Sequence, residues 1–282
     1  MARKYDKTIQ DHYKQVAKEF GLSATSTMAD EITRESESQA ILQFVSESLR
    51  MRQVEGASEP AIIMDVGCGN GYTLQRLSEE YPDQRFIGIE KSDELRALAT
   101  ARFAGHDNVE ILEGDIRDRD FAAKASVDIL VCQRVLINLL NEEDQKSALS
   151  NIIKVVASSS ATHSGGTLLF IESFSSSLAK LNEARAEFEL PPISPAHHNL
   201  YLADNFFDTA QLKSLSTNGQ LPPANFLSTH YFVTRVLHPL YVGNKPPKRN
   251  SEFVRFFSEA LKENVGDYSP LRLYMFGKTE EA

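Results

Sequence analysis

Three glycines at alternate positions follow an acidic residue in the segment Asp65-Val66-Gly67-Cys68-Gly69-Asn70-Gly71. The segment comes directly after an apolar run, and a helical pattern follows it. A glycine loop between a buried strand and a helix lets the backbone approach a ligand closely and points free N–H groups at an anion. A carboxylate at Asp65 would repel a pyrophosphate, but it could accept a hydrogen bond from a ligand ammonium group, directly or through water. The loop therefore predicts a ligand-binding site.

The spacing of the glycines distinguishes between two classes of ligand. Dinucleotide sites use Gly-x-Gly-x-x-Gly, in which the third glycine lets the helix pack tightly on the strand. Tyr72 occupies that third place here, and the glycines instead fall at positions 67, 69 and 71. The pattern therefore disfavours a nicotinamide dinucleotide.

Further candidate groups lie at predicted strand ends and after a proline-rich loop. Glu90 ends an apolar run, where a carboxylate could accept hydrogen bonds from both hydroxyls of a ribose, although a dinucleotide fold uses a similar spacing. Arg134 follows another run and could hold a substrate phosphate or carboxylate, or pair with a nearby acid. His197 and His198 follow the prolines. In a pocket either histidine could deprotonate a hydroxyl; otherwise they are structural or exposed.

Strands and helices must position these groups, and the sequence predicts them from apolar runs that alternate with helical patterns. Several runs are apolar without alternation, which is typical of strands buried on both faces of a parallel sheet. Helical spacing lies between the runs, and Asn141 is placed to cap one helix. The rhythm predicts βαβ units and an α/β, doubly wound sheet in one domain. Strands are predicted at 61–66, 85–90, 109–112, 127–132 and 167–172, with two late strands in 226–242 and 271–276.

At the glycine loop the sequence resembles the class I S-adenosylmethionine-dependent methyltransferases. The resemblance covers roughly residues 33–175 and, more loosely, the whole chain. It implies a seven-stranded, mostly parallel Rossmann-like sheet with helices on both faces. Residues 1–55 would form a helical N-terminal lid. Residues 56–282 would form the cofactor-binding domain, with a cover insertion at about 173–225.

The resemblance also implies a set of residues around S-adenosylmethionine. The loop and its acidic residue match the family's first motif, and Glu90 matches the acid that takes the ribose hydroxyls. Asp115 matches the acid near the adenine amino group, and Gln133 and Arg134 match residues that pass beneath the methionine part. The full predicted set is Asp65, Gly67, Cys68, Gly69, Asn70, Gly71, Glu90, Lys91, Asp115, Ile116, Gln133 and Arg134.

The predicted activity is methyl transfer from S-adenosylmethionine to a small molecule, at a hydroxyl of a sugar or other polar metabolite, with S-adenosylhomocysteine as the product. The predicted catalytic residues are His198, His197 and Arg134. The segment after the fourth strand lacks the Asn-Pro motif with an aromatic residue that base- and amide-modifying members carry. Two alternatives stay open: a nicotinamide-dependent oxidoreductase and a cofactor-binding subunit without catalysis.

Composition limits the partners and the compartment. The chain has 282 residues, with 30 lysines and arginines against 39 aspartates and glutamates, and a net charge of −9. Such a balance disfavours nucleic acid as the main partner. No apolar stretch approaches the length of a membrane span, and the N-terminus has no apolar signal core, so a cytoplasmic protein is expected. Two cysteines cannot form a disulfide framework. We expect no bound metal, and we expect the protein to be a monomer or a homodimer.

Overall fold

A single seven-stranded sheet forms the centre of the protein. The computed structural model describes residues 3–24, 26, 28–122, 126–159, 165–215, 221–243 and 250–279. The strands lie in the order β3-β2-β1-β4-β5-β7-β6; β1 to β5 are parallel, and β7 runs antiparallel to β5 and β6. Their bounds are β1 Ile62–Val66, β2 Arg85–Glu90, β3 Val109–Glu113, β4 Ile129–Gln133, β5 Thr167–Ser173, β6 Leu212–Ser214 and β7 Leu271–Lys278.

Helices cover both faces of the sheet. A 3₁₀ turn, Leu136–Asn138, follows β4, and a π-helical turn, Val233–Leu237, joins two short helices near the C-terminus. The α-helices are α1 Asp6–Phe20, α2 Glu31–Val54, α3 Tyr72–Glu80, α4 Asp93–Arg102, α5 Glu142–Val155, α6 Ser175–Ala186, α7 Ser228–Phe232, α8 His238–Val242 and α9 Glu252–Ala260. None of the helices in these described ranges is long and apolar enough to cross a membrane.

The burial of the central strands explains their continuous apolar runs. All seven residues of β5 are buried, as are four of the five in β4. One face of the sheet packs on α5, where Ile152 contributes, and the other packs on α2, where Phe44 is completely buried. Burial on both faces removes the need for polar residues at alternate positions. The predicted doubly wound, mostly parallel α/β sheet is confirmed.

The strand order places a ligand crevice at a defined point. The chain runs outward from β1 to β2 and β3, then returns to the other side of β1 to form β4. The loops after β1 and β4 therefore diverge in opposite directions, and a crevice opens between them at the carboxyl ends of the strands. The glycine loop after β1 and Arg134 after β4 both lie there.

The prediction of a strand within 226–242 is wrong, because this segment forms α7, the π-helical turn and α8. Its β-branched and aromatic residues are buried in helices: Val236 is completely inaccessible and packs against Leu178 and Leu181 of α6. The sheet gains its sixth strand instead from β6, a three-residue edge strand within the segment predicted to be the cover insertion. Packing rather than strand pairing accounts for the composition of 226–242.

Candidate active site

A cavity of about 380 Å³ lies at the carboxyl ends of β1 to β4. Its volume is within the range of sites that hold one small ligand. The glycine loop and α1 enclose it. Acidic groups line the end of the cavity next to β2 and β3, which is called the β3 side below. Two arginines line the opposite end, next to β4, which is called the β4 side. The residues that carry the argument are Tyr5, Asp6, Tyr13, Arg34, Asp65, Gly69, Thr73, Glu90, Lys91, Asp115, Gln133, Arg134 and Asn138.

The glycine loop forms the floor of the cavity, and its backbone has positive φ angles that residues other than glycine rarely adopt. Gly67 has a φ of +70°, and a Cβ there would collide with Cγ2 of Val135. Gly69 has a φ of +58°, and a Cβ there would meet nothing within 4 Å. Gly67 is therefore required by close packing against the turn after β4, whereas Gly69 faces open space in which a ligand can approach the backbone.

Two acids dominate the β3 side. Glu90 accepts hydrogen bonds from the backbone N–H groups of Gly69 (2.8 Å) and Ser92 (2.7 Å), and burial raises the pKa of its carboxyl. Burial also raises the pKa of Asp115, but hydrogen bonds from Arg117 and Lys91 outweigh it and hold that pKa well below its usual range. Glu90 is thus fixed by the loop it supports, and Asp115 is an ionised member of a charged cluster.

The β4 side carries buried cations. Arg34 of α2 is 8% exposed and donates hydrogen bonds to Oε1 of Gln133 (3.0 Å) and Oγ1 of Thr73 (3.2 Å). Arg134 contacts Glu37 through Nε and Oε1 at 3.3 Å, and Nη1 of Arg34 lies 3.9 Å from Oε2 of the same acid. Glu37 is completely inaccessible, and burial raises its pKa despite both arginines.

Asp65 lies between these two sides at the end of β1. It is 3% exposed, and its carboxylate borders the cavity. Burial raises its pKa to about 7; Arg34 opposes this shift, and Glu90 adds to it. A carboxylate with this pKa is poorly solvated when ionised, so a cationic ligand group would stabilise its charge strongly.

Helix α1, which belongs to the segment predicted to be a lid and is called the lid below, lines the cavity. Asp6 pairs with Arg117 (2.8 Å) and Lys91 (3.5 Å) on the β3 side, and Tyr5 donates a hydrogen bond to Asp144 at 2.6 Å. On the β4 side the hydroxyl of Tyr13 accepts a hydrogen bond from the Asn138 side chain at 2.6 Å. The lid therefore contacts both ends of the cavity.

The structure brings most of the predicted site residues together. All predicted cofactor-binding residues except Gly71 line the cavity, and Arg134 lies there too. His197 and His198 are not among the lining residues; His198 instead stacks on His12 of the lid with ring centroids 3.8 Å apart. Their assignment as bases stays a prediction. Within the described ranges, no three His, Cys, Asp or Glu side chains are grouped to hold a metal ion.

Four residues of the site have roles that sequence reasoning missed. Arg34 and Glu37 are one turn apart on α2, and both are buried, which is unusual for charged residues on a helix. Arg117 bridges Asp115 and the lid, and Tyr13 is the lid's contact on the β4 side. A helical plot of α2 would have placed Arg34 and Glu37 beside Ile41 on its apolar face. From that placement the burial of both residues could have been predicted.

Part of the chain matches a described protein family. Residues 63–159 match the family described as methyltransferase domain. Malonyl-[acyl-carrier protein] O-methyltransferase from Halalkalibacterium halodurans is 25% identical over 97 residues, 34% of each chain. Ribosomal RNA small subunit methyltransferase H from Coprothermobacter proteolyticus is 37% identical over 62 residues, 22% of this chain and 21% of that one. The chain thus matches about a third or less of these relatives' lengths.

A solved structure extends the likeness of fold to nearly the whole chain. N-methyltransferase NodS from Bradyrhizobium japonicum WM9, crystallised in complex with S-adenosyl-L-homocysteine, superposes with a TM-score of 0.53 and 14% identity. The superposition covers 95% of this chain and 98% of NodS. At 14% identity the similarity shows only that the two proteins share a fold. The names of these proteins give a malonyl-[acyl-carrier protein], a ribosomal RNA and an unspecified nitrogen as the methyl acceptors, so they do not indicate which acceptor this chain uses.

The contacts of Asp6 predict how firmly the lid is held. Asp6→Asn removes its charge from the pairs with Arg117 and Lys91, and we expect a loss of about 1 kcal/mol in lid closure. Amide hydrogen exchange over residues 6–20 should then be roughly fivefold faster, with exchange in the sheet unchanged. Asp11→Asn, the same charge change at an exposed position of α1, is the control. Equal exchange in the two variants would show that Asp6 does not hold the lid.

Proposed function

We propose that this chain is a class I S-adenosylmethionine-dependent methyltransferase, which binds S-adenosylmethionine in the cavity and transfers its methyl group to a small polar metabolite. One observation carries the proposal. Asp65 and Arg34, an acid and a cation, both line the cavity next to the glycine loop. They match the ammonium and carboxylate groups of an amino-acid ligand, and the cofactor's methionine part is such a group.

The remaining residues fit the rest of the cofactor. Glu90, at the end of β2, would accept hydrogen bonds from ribose hydroxyls, and Gly69 would leave the space that a bound ligand needs. Asp115 and Ile116 border the β3 side, where the adenine would lie. The lid would then cover the nucleoside through Tyr5 and exclude water from the reaction.

The protein would contribute to the reaction mainly by positioning the reactants. The cofactor supplies a methyl group on a sulfonium, which is already activated toward a nucleophile. The chain's own residues must hold the acceptor in line with that methyl group, and such alignment can contribute on the order of 7–11 kcal/mol. Arg134, Asn138 and Tyr13 border the β4 side, where the acceptor would enter.

Two alternatives lead to different measurements. A nicotinamide-dependent oxidoreductase would need a pyrophosphate beside Asp65, whose charge opposes it, and NAD would then raise the melting temperature. A cofactor-binding subunit without catalysis would bind S-adenosylmethionine and form no S-adenosylhomocysteine with any acceptor.

Two buried free cysteines are compatible with a reducing cytoplasm. A small-molecule acceptor remains our proposal, as does a monomeric or homodimeric state.

Filling the space above Gly69 tests the cofactor assignment. Gly69→Arg puts a side chain into the open cavity, and we expect affinity for S-adenosylmethionine, measured by calorimetry, to fall at least 100-fold or below detection. Gly105→Arg is the control, because Gly105 also has a positive φ and open surroundings but lies on the surface. Unchanged affinity in the Gly69 variant would refute the assignment.

The raised pKa of Asp65 predicts a pH dependence of cofactor binding. The ammonium group of the ligand favours ionised Asp65, so binding below pH 7 must first release a proton from the carboxyl. Affinity should fall as the pH decreases from 7 to 5, with a slope that approaches tenfold per unit. Asp65→Asn should bind roughly 10–150-fold more weakly at pH 8 and lose this slope. A slope that persists in the variant would assign the titration to another group.

A further inference from the structure

Helix α1 has little apolar packing of its own. Of its 15 residues, only Val16 and Ala17 are buried. Polar contacts to other elements, such as that between Tyr13 and Asn138, supply much of what holds it beside the cavity. A segment with few buried apolar contacts opens at a lower free energy than the core of a protein. The position of the lid is therefore sensitive to a small number of hydrogen bonds.

The side chain of Asn70 binds the chain just after the lid. Asn70 belongs to the glycine loop and is 4% exposed. Its Nδ2 lies 2.9 Å from the carbonyl oxygen of Gly21, 3.0 Å from that of Ser23 and 3.2 Å from Oγ of Ser26. These acceptors belong to residues 21–24 and 26, called the connecting segment below, which lie between α1 and α2. One amide group of the glycine loop thus holds the end of the lid.

We propose that Asn70 is a positioning residue that couples occupation of the cavity to closure of the lid. This inference rests on the proposed function, because the occupant is S-adenosylmethionine or its product. A ligand that orders the glycine loop holds the Asn70 amide against the connecting segment, and this contact stabilises α1 beside the cavity. The linkage is reciprocal: the ligand stabilises the closed lid by the same factor by which closure tightens ligand binding.

The residues on either side of Asn70 explain how the ligand reaches it. Gly69 has a φ of +58° and faces open space in the cavity, and its N–H donates to Glu90 at 2.8 Å. Gly71 has a φ of +80°, and a Cβ there would lie 2.8 Å from Cε2 of Phe103. Asn70 is therefore fixed between the space for the ligand and a packed contact beyond α4. A ligand against Gly69 acts on the residue next to Asn70.

Two further contacts orient the Asn70 amide and reinforce its bond to the connecting segment. The amide oxygen accepts a hydrogen bond from the N–H of Tyr72 at 3.2 Å, so the amide nitrogen is the end that faces the connecting segment. Arg102 of α4 donates from Nε to the carbonyl of Asn70 at 2.9 Å and from Nη2 to the carbonyl of Leu22 at 2.7 Å. The glycine loop and the connecting segment are thus joined by two side chains.

A purely structural role for Asn70 gives a different result from coupling. If the amide only stabilised the lid, its loss would speed the opening of α1 equally with and without ligand. Coupling instead requires that ligand slows the opening in the wild-type protein and loses this effect when the amide is removed. The dependence of opening on ligand therefore distinguishes the two roles.

Amide hydrogen exchange over residues 6–20, with and without saturating S-adenosylhomocysteine, measures this dependence. In the wild-type protein we expect the ligand to slow exchange roughly tenfold. Asn70→Ser keeps a side-chain oxygen for the N–H of Tyr72 and removes the amide that reaches the connecting segment. In this variant we expect the ligand to slow exchange by about twofold or less, and its affinity in calorimetry to fall by the factor that is lost, roughly fivefold or more.

Asn108→Ser is the matched control for the Asn70 variant. The Asn108 amide also donates to two backbone carbonyls, those of Pro82 (3.0 Å) and Gln84 (3.1 Å). Asn108 lies just before β3, at the amino ends of the strands, whereas the cavity lies at their carboxyl ends. We expect this variant to keep the wild-type affinity and the wild-type effect of ligand on α1.

Ser26→Ala separates the contact from the glycine loop itself. Ser26 is 6% exposed, and the described residues of the connecting segment are not among those that line the cavity, so the variant leaves the lining of the cavity unchanged. Loss of its bond to Asn70 should reduce the ligand's effect on exchange and its affinity by one common factor, roughly threefold. Ser48→Ala removes a buried hydroxyl that is bonded to Thr167 instead, and it should change neither.

Three results would overturn the inference. They are a wild-type lid whose exchange is the same with and without bound ligand, a full effect of ligand on α1 in the Asn70 variant, and a lost effect without a matching loss of affinity. The Ser26 variant decides the question if the Asn70 variant does not fold. Failure of the wild-type protein to bind S-adenosylmethionine or S-adenosylhomocysteine would be a separate result, which refutes the proposed function and this inference with it.

Discussion

The shape of the site depends on one buried carboxylate, that of Glu172 at the end of β5. It is completely inaccessible, and its two oxygens accept hydrogen bonds from the backbone N–H groups of Val135 (2.9 Å), Leu136 (2.9 Å) and Ile137 (3.3 Å). These are the first amides of the turn after β4, which would otherwise be buried without partners. The carboxylate therefore fixes the turn that holds Arg134 in a left-handed conformation, with a φ of +56°.

The same turn determines the glycine loop on the neighbouring strand. Val135 packs so closely on Gly67 that a side chain at position 67 would not fit. Burial raises the pKa of Glu172 to about 7, although three amides favour its ionised form. A fully buried acid with so many donors is a structural anchor rather than a group available to a substrate. The loop, the turn and Arg134 thus depend on one another, and a change in any of them would move the others.

The distribution of charge across the cavity follows from the strand order. The ends of β2 and β3 carry Glu90 and Asp115, while α2 and the end of β4 bring Arg34 and Arg134 to the opposite side. A ligand with a nucleoside at one end and an amino acid at the other meets a different environment at each end. The two ends of the cavity therefore differ in charge, and this difference supports the orientation proposed for the cofactor.

Sequence reasoning predicted the parts of the protein that local pattern determines. The parallel strands followed from continuous apolar runs, and the Asn141 cap of α5 is confirmed by its 3.0 Å hydrogen bond to the N–H of Asp144. The segment 226–242 was wrongly predicted because its β-formers are buried by helix packing, which no local pattern records. Arg34, Glu37 and Arg117 were missed because their roles arise from contacts between distant segments. The left-handed backbone at Arg134 likewise depends on Glu172, 38 positions further along the chain.

A crystal structure with S-adenosylhomocysteine bound tests the central claim most directly. Our account predicts that the ligand's ammonium lies within hydrogen-bond distance of Asp65, its carboxylate within reach of Arg34, and its ribose hydroxyls on Glu90, beneath a closed α1. A ligand in the reverse orientation, with its amino-acid end beside Asp115, would contradict the account. So would a ligand bound outside the cavity.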